Sequence, residues 1–167
     1  EWRRLQPPYE CPDPRYTIRR ATPADYPQIY ALVDEVWERT RPKAQYEWLY
    51  VDNPSGYARA TVVFERATGQ MIAAGAGFPW PIAKGDQRYR GTFGGDAVTI
   101  KRLQRQNIGD IKREFAESHP WRNSNIGLHA PNEKSRASMA KRGRAPAFGP
   151  LPVASLILDF ASYLKAR

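Results

Sequence analysis

A polar turn holds the residues of this chain whose types and spacing are best suited to chemistry. It is Gln104-Arg105-Gln106-Asn107-Ile108-Gly109-Asp110, between an extended segment at 95–100 and an amphipathic helical pattern. Where a strand, a tight turn and a helix start follow one another, successive backbone N–H groups point at one spot. The helix dipole adds partial positive charge there. The turn therefore predicts an anion-binding site.

The residues around this turn indicate what kind of anion it would hold. Lys101, Arg102, Lys112 and Arg113 flank it, and so many cations favour a polyphosphate over a single carboxylate. The helix after the turn is predicted to have an apolar side and a solvent side. The apolar residues are Ile108, Ile111 and Phe115, and the predicted solvent-facing residues are Asp110, Lys112, Arg113, Glu114 and Glu117.

The elements that must position the turn follow from apolar periodicity and turn residues. Thr22-Pro23-Ala24-Asp25 has the Thr, Pro and acidic residue typical of a helix start. Pro79–Gln87 is predicted to be a loop, and glycines at 75, 91, 94 and 95 predict a bulge or a close backbone approach. Strands are predicted at 16–20, 60–66, 71–78, 88–100 and 125–129, and helices at 22–41, 44–50, 108–118 and 132–142.

This order, β-α-α-β-β-β-α-β-α, predicts an α+β fold whose central sheet is mixed but largely antiparallel and flanked by helices. The length of 167 residues fits one domain. We expect a proline-rich arm at 1–15, the domain at 16–149 and a further strand and helix at 150–167. Because the chain starts at Glu1 and its apolar helical end stops without a cap, we expect the natural protein to continue past Arg167.

Composition narrows the classes of function. The net charge of +9 favours an anionic partner, such as nucleic acid, acidic lipid or a phosphorylated cofactor, or else reflects an arginine-rich solvated surface. A single cysteine, Cys11, excludes a disulfide within the chain and argues against a thiolate metal site, so no metal is expected. No apolar run of roughly 20 residues and no signal peptide pattern is present. We expect no membrane span and a cytoplasmic location.

Two spaced motifs carry a resemblance to a known family. Gln104-x-x-Asn107-x-Gly109 resembles the acyl-CoA-binding motif of the GNAT (Gcn5-related N-acetyltransferase) superfamily, which is Arg or Gln, two residues, Gly, one residue, then Gly or Ala. Asn132-Glu133-Lys134-Ser135, continuing to Lys141-Arg142-Gly143, resembles the second signature of that family. The order of elements over 16–149 is similar as well. The segment Asn53-Pro54-Ser55-Gly56 resembles larger bacterial GNAT-like proteins in which this unit is followed by further sequence.

The resemblance implies an acyl-CoA-dependent N-acyltransferase that moves an acetyl group from acetyl-CoA to an amine. It implies that backbone N–H groups near Thr99 and Ile100 hold the pantetheine arm and that Gln104–Asp110 holds the diphosphate. Asn132 and Ser135 would contact the cofactor, although Asn132 also fits as a helix cap. The acceptor is not identified. Its pocket is expected from the segments 41–56 and 79–87, with Trp80 as a candidate residue.

Asp96 and His129 are the candidate general bases. A carboxylate needs its pKa raised by burial to act near neutral pH, whereas a histidine needs no shift. Each residue has a structural alternative. Asp96 would cap the Gly94-Gly95 bend, and His129 would be a hydrogen-bonded histidine at a strand end. A chain of water molecules could also serve as the base.

Four residues depart from the family pattern. Asn107 stands where Gly is usual, although asparagine tolerates the left-handed backbone region. Lys101 replaces a common Pro, and Arg144 replaces an aromatic residue. Met139 replaces the Tyr that acts as general acid toward the thiolate, and it cannot donate a proton.

Two other interpretations of the function therefore stay open. One is a degenerate GNAT-like domain that binds acyl-CoA or another ligand without turnover. The other is a basic nucleic-acid-binding domain, for which net charge is the only support. The sequence leaves the oligomeric state open.

Overall fold

The computed structural model describes residues 9–118 and 126–129. The chain divides into two compact units, Glu1–His129 and Ala130–Arg167, and every described residue belongs to the first. The predicted helix at 132–142 and the segment 150–167 lie outside the described residues. The predicted domain boundaries at 15 and 149 stay predictions.

The described residues contain five strands, which form one sheet in sequence order. They are β1 (Tyr16–Arg20), β2 (Arg59–Glu65), β3 (Met71–Lys84), β4 (Gln87–Thr99) and β5 (Ile126–His129). The pairs from β1 to β4 are antiparallel, and β5 pairs with β4 in parallel. This sheet, with its flanking helices, confirms the predicted α+β fold with a largely antiparallel sheet.

In the described part of the chain, three α-helices accompany the sheet: α1 (Tyr26–Trp37), α2 (Lys43–Tyr50) and α3 (Ile108–Ser118). The predicted start of the first helical segment is confirmed, because a carboxylate oxygen of Asp25 accepts the backbone N–H of Thr22 at 2.7 Å. Helix α1 ends at Trp37, and the next residue, Glu38, has a left-handed φ of 53°. None of the helices in the described ranges is long and apolar enough to cross a membrane.

Helices α2 and α3 lie on opposite faces of the sheet. Tyr50 of α2 packs its ring against Phe78 of β3, with ring centroids 5.3 Å apart. A Cβ placed at Gly75 of β3 would instead point toward Lys112 of α3, at 4.0 Å from its Nζ. Residues 75 and 78 have opposite parity in a regular strand, so α2 and α3 cover different faces.

Strand β3 is longer than expected, and the prediction of a loop at Pro79–Gln87 is wrong. Pro79 pairs with Thr92 and Pro81 pairs with Arg90, and Gly85-Asp86 alone closes the hairpin. The prolines fit because β2 begins at Arg59, which pairs with Gly77. Beyond that point β3 has one neighbour among the described strands, and an edge strand tolerates a residue without N–H.

A bulge interrupts the ladder between β3 and β4. The register runs from Ala76–Gly95 to Ala74–Val98, so Gly75 alone faces Asp96 and Ala97. Asp96 has a φ of 47°, as in bulges whose first residue is left-handed. The bulge that the glycines predicted is therefore present, but Asp96 rather than a glycine adopts the left-handed backbone.

Candidate functional site

The predicted turn does connect the last residues of β4 to α3. Arg105 and Asn107 have left-handed φ values of 68° and 61°. The carbonyl oxygen of Asn107 accepts the N–H groups of Asp110 at 2.8 Å and Ile111 at 3.1 Å, so this residue caps the helix. Asparagine thus occupies the position where the motif has glycine and adopts the backbone expected of it.

The turn presents a row of backbone N–H groups at the positive end of the α3 dipole. Within the described part of the chain, the N–H groups of Arg105 through Gly109 have no backbone acceptor. A Cβ added at Gly109 would meet no atom within 4 Å, so open space lies next to that backbone. These groups form a cradle that suits an anion. In contrast, the N–H of Asp110 is used inside the helix.

Two glutamines hold the shape of the cradle. The side-chain amide of Gln104 donates to the carbonyl oxygen of Thr99 at 3.2 Å, and that of Gln106 donates to the carbonyl oxygen of Arg102 at 3.1 Å. These bonds tie the turn to the end of β4 and to the short 3-10 turn that follows it. Both glutamines therefore use their side-chain donors within the protein.

Three of the four flanking cations form ion pairs with carboxylates of the protein, which weakens the expectation that they favour a polyphosphate. Lys101 forms an ion pair with Glu38, and Arg113 forms one with Asp110. Arg102 donates two hydrogen bonds to the carboxylate of a β2 residue, Glu65, at 3.0 and 2.8 Å.

Arg105, inside the turn, differs from these three cations. It is exposed and forms no ion pair with a described residue. Its guanidinium is therefore the charge that the turn can offer to a ligand.

Lys112 contradicts the prediction that it faces solvent. The residue keeps some exposure, but its ammonium turns inward between β3 and β4. It donates to the carbonyl oxygens of Ala74 at 2.7 Å and Val98 at 2.9 Å. Burial lowers the pKa of Lys112 to about 8. The helical pattern could have shown this, because Lys112 lies four residues after Ile108 and thus on the buried stripe.

One edge of β4 is open near the turn. Strand β5 pairs only with Gly91–Gly94, and no described residue pairs with β4 beyond that point on this side. The N–H of Ile100 donates to the carbonyl oxygen of Ile72 at 3.0 Å, so it is not available to a ligand as the resemblance implied. Successive strand residues point their N–H groups to opposite edges. The N–H of Thr99 therefore points away from β3.

Asp96 lies in a buried ion pair. Its side chain is 3% exposed and accepts hydrogen bonds from both terminal nitrogens of Arg41 at 2.8 Å each. The hydroxyl of Tyr50 also donates to it, at 3.1 Å. Burial acts to lower the pKa of Arg41, but the hydrogen bonds and charge of Asp96 outweigh it and keep that pKa above its usual value. Burial, followed by the charge of Asp96, raises the pKa of Tyr50.

These contacts favour a structural role for Asp96 over a role as general base, because its two oxygens already accept three hydrogen bonds. Sequence reasoning missed Arg41, which is 55 residues away from Asp96 in the chain. No local pattern indicates such a pair.

Comparison with solved structures identifies the architecture. No protein-family model and no curated protein sequence matches this chain. Glucosamine-6-phosphate N-acetyltransferase from Arabidopsis thaliana is similar over 81% of this chain and 95% of its own, with a TM-score of 0.59 and 12% sequence identity. The chain has the GNAT fold.

Two further GNAT-fold structures agree. An acetyltransferase from Trypanosoma brucei covers 81% of this chain and 96% of its own, with a TM-score of 0.59 and 12% identity. A predicted acetyltransferase with acetyl-CoA from Clostridium acetobutylicum covers 84% of this chain and 97% of its own, with a TM-score of 0.60 and 14% identity.

Several residues predicted from the GNAT resemblance are not described. The backbone of His129 pairs with Gly94 at the end of β5, but the side chain of His129 lies outside the described part of the chain. Asn132, Ser135 and Met139 lie outside it entirely. Their assignments stay predictions. Among the described residues, no group of three or more His, Cys, Asp or Glu side chains could hold a metal ion.

A groove of about 380 Å³ borders the turn but contains no residue of β4. Its lining includes the ion pair of Asp13 and Arg15, and the charge of this pair is balanced. Trp80, the candidate acceptor residue, is half-buried in β3 opposite Gly91 rather than in a loop. The groove is lined by Pro12, Asp13, Arg15, Gln106, Asn107 and Ile111.

Proposed function

We propose that this protein is an acyl-CoA-dependent N-acyltransferase that transfers an acetyl group from acetyl-CoA to an amine. One observation carries the proposal. Among the described residues, the turn before α3 presents backbone N–H groups without a backbone acceptor, and it closely follows a strand whose outer edge has no described partner near its end. The first feature suits the diphosphate of coenzyme A, and the second suits its amide-containing pantetheine arm.

Different residues of the described chain bind the diphosphate and the pantetheine arm. The N–H groups of Arg105–Gly109 hold the diphosphate, and the guanidinium of Arg105 adds positive charge. The N–H of Thr99 donates a hydrogen bond to the pantetheine arm. The arm accepts this bond as a strand added at the edge of β4 would. Four residues of extended chain span about 13 Å between Asp96 and Ile100. The acyl group therefore lies near the bulge when the diphosphate occupies the turn.

The chemical step needs more than binding. A donor must polarise the thioester carbonyl while the amine attacks it, a base must take the proton of the amine, and an acid must protonate the departing thiolate. The N–H of Ala97, an exposed residue at the bulge, would polarise the carbonyl. The base is His129 or a water chain, and Asp96 is the weaker candidate because of its ion pair with Arg41.

A second candidate function is binding of acyl-CoA without turnover. Met139 favours it, because a thioether has no proton to give at the position where the family has a tyrosine. The nucleic-acid alternative gains no support from the turn, where Lys101, Arg102 and Arg113 are already paired with carboxylates.

Gly109→Asp tests the cradle. The side chain would enter open space, and an acidic residue in the first turn of a helix is favourable, so the free energy of unfolding should not fall. Its carboxylate would repel a diphosphate, and we expect affinity for acetyl-CoA to fall at least about tenfold. Gly109→Ala is the matched control, with the same backbone restriction and no charge. Isothermal titration calorimetry with both variants measures the difference, and unchanged affinity in Gly109→Asp would refute the cradle.

Turnover is measured separately from binding. Release of free thiol from acetyl-CoA, followed with a thiol reagent across a panel of small-molecule and peptide amines, identifies an acceptor. Amine-dependent release above the rate of spontaneous hydrolysis supports the enzyme. Tight binding of acetyl-CoA with no release for any amine supports the binding protein instead. Wild-type protein whose melting temperature does not rise with acetyl-CoA would contradict both.

A further inference from the structure

The groove beside the turn shares residues with the cradle but none with β4. Gln106 and Asn107, whose N–H groups belong to the cradle, both line it. The pantetheine arm, as proposed above, leaves the cradle toward Thr99. Because a bound diphosphate has two ends, the nucleoside at its other end leaves toward the groove. The volume of about 380 Å³ lies within the range of small-molecule sites, which is about 300–1,000 Å³.

One wall of this groove is the segment that precedes β1, and contacts with the rest of the domain hold it in place. The ring of Tyr9 packs edge-on against that of Phe115 in α3, with ring centroids 5.1 Å apart. The N–H of Arg66 donates to the carbonyl oxygen of Arg15 at 2.8 Å. The wall is therefore formed before any ligand arrives. Its lining residues are Pro12, Asp13 and Arg15.

The remaining lining combines apolar surface with side-chain amides. Ile111 and Pro12 supply the apolar surface. Gln106 donates from Nε2 to the carbonyl oxygen of Arg102, and its Oε1 accepts no hydrogen bond from a described residue. The side-chain amide of Asn107 is likewise unbonded among the described residues. The edge of adenine carries an amino donor beside a ring-nitrogen acceptor, and a side-chain amide pairs with both.

The charge of the groove is balanced, which distinguishes it from the cradle. Nε and Nη2 of Arg15 donate to the carboxylate of Asp13 at 3.0 and 2.7 Å. These hydrogen bonds lower the pKa of Asp13, so its carboxylate is ionised at neutral pH. A carboxylate that already neutralises the arginine leaves no net positive charge for a further phosphate. The groove therefore suits an uncharged base.

We propose that the segment 9–15 completes a subsite for the adenine base of the cofactor, and that this subsite does not recognise the 3′-phosphate of coenzyme A. The inference rests on the proposed function and extends it to the nucleotide end of the acyl donor. Pro12 and Ile111 contact the base, and the amides of Gln106 and Asn107 bind its edge. The preferred donor is then a thioester that carries an adenine nucleotide, with or without the 3′-phosphate.

Two pairs of ligands test this subsite in the wild-type protein. ADP and UDP have the same diphosphate and ribose and differ in the base. In competition with acetyl-CoA, ADP should bind at least about fivefold more tightly than UDP. Acetyl-CoA and acetyl-dephospho-CoA differ only in the 3′-phosphate, and calorimetry should give dissociation constants within about twofold of each other.

Pro12→Gly removes apolar surface from the groove wall. Its matched control is Pro14→Gly, because Pro14 is also exposed in the same segment but does not line the groove. Both changes loosen the backbone in the same way. Pro12→Gly should weaken the binding of ADP about threefold and leave that of inorganic pyrophosphate, which has no base, unchanged. Pro14→Gly should change neither affinity.

Asp13→Asn tests the charge balance by a gain of recognition. Without the carboxylate, the guanidinium of Arg15 is available to a phosphate. This variant should prefer acetyl-CoA to acetyl-dephospho-CoA by at least about threefold at low ionic strength. Glu10→Gln removes the same charge from an exposed residue that does not line the groove, and it should keep the wild-type ratio.

The outcomes separate this inference from the proposed function. If acetyl-CoA binds and ADP competes no better than UDP, the adenine subsite is overturned and the function stands. A wild-type preference for acetyl-CoA over acetyl-dephospho-CoA of more than about fivefold overturns the claim that the 3′-phosphate is not recognised. Equal loss of ADP binding in Pro12→Gly and Pro14→Gly overturns the role of the wall. Wild-type protein that does not bind acetyl-CoA overturns the function and this inference together.

Discussion

The buried ammonium of Lys112 should make the stability of the folded protein rise with pH. Its pKa is about 8 in the folded chain, against an ordinary value of 10.5. Between these values the unfolded chain binds a proton that the folded chain has released. The free energy of unfolding therefore increases with pH in this range.

The size of the effect follows from the two pKa values. Each pKa unit between the folded and unfolded values corresponds to about 1.4 kcal/mol. Summed between about pH 8 and about pH 9, the stabilisation is about 1 kcal/mol. Urea unfolding followed by tryptophan fluorescence at several pH values in this range measures it directly.

Buried tyrosines set the upper limit of the useful range. Burial raises the pKa of Tyr30 to about 12, and burial also raises the pKa of Tyr46 and Tyr50. A tyrosine with a raised folded pKa contributes stability below the ordinary value of 10.0 and loses it as the pH rises through the folded value. Because tyrosines of the unfolded chain ionise around the ordinary value of 10.0, this loss begins at about pH 9 and opposes the gain from Lys112 above it.

Lys112→Met isolates the contribution of this lysine. Without the titrating group, the free energy of unfolding should stay nearly constant between about pH 8 and about pH 9, whatever its absolute value. Equal slopes in the wild-type and variant proteins would refute the reasoning. A decrease in wild-type stability across this range would refute it as well.

Two pairs of substitutions, each a test variant and its control, probe the other features of the site by urea unfolding. Asp96→Asn leaves the guanidinium of Arg41 without a charged partner and should cost about 3 kcal/mol, whereas Glu38→Gln, in an exposed ion pair, should change stability little. A loss in Asp96→Asn no larger than in Glu38→Gln would contradict the buried pair. Asn107→Val should cost about 1 kcal/mol because its φ is 61°, and Asn107→Gly should not destabilise the protein. Equal stability of these two variants would contradict the left-handed assignment.

Local patterns predicted most of the elements because they depend on near neighbours. The helix start at Thr22–Asp25 spans four residues, and its capping bond is made within it. The left-handed backbone at Asn107 was expected from the motif and is present. The N–H groups of the predicted cradle are unpaired among the described residues, although whether they bind a ligand stays a proposal.

The errors concern contacts that sequence spacing does not encode. Pro79 and Pro81 predicted a loop, and a strand can hold them only because β2 does not extend opposite them. Lys112 was placed at the surface by its chemical type, although its helical position lies on the buried side. The partner of Asp96 is Arg41, and the fold of the whole unit brings these two side chains together.

The two prolines of β3 have a consequence for association between molecules. An exposed strand edge is a template on which another chain can build a β-ladder, and native proteins block such templates. At Pro79 and Pro81 the backbone has no N–H to offer, and the side-chain amide of Asn53 already donates to the carbonyl oxygen of Pro79 at 3.2 Å. This stretch of β3 therefore resists strand addition by a second copy, which lowers the tendency of the folded protein to aggregate.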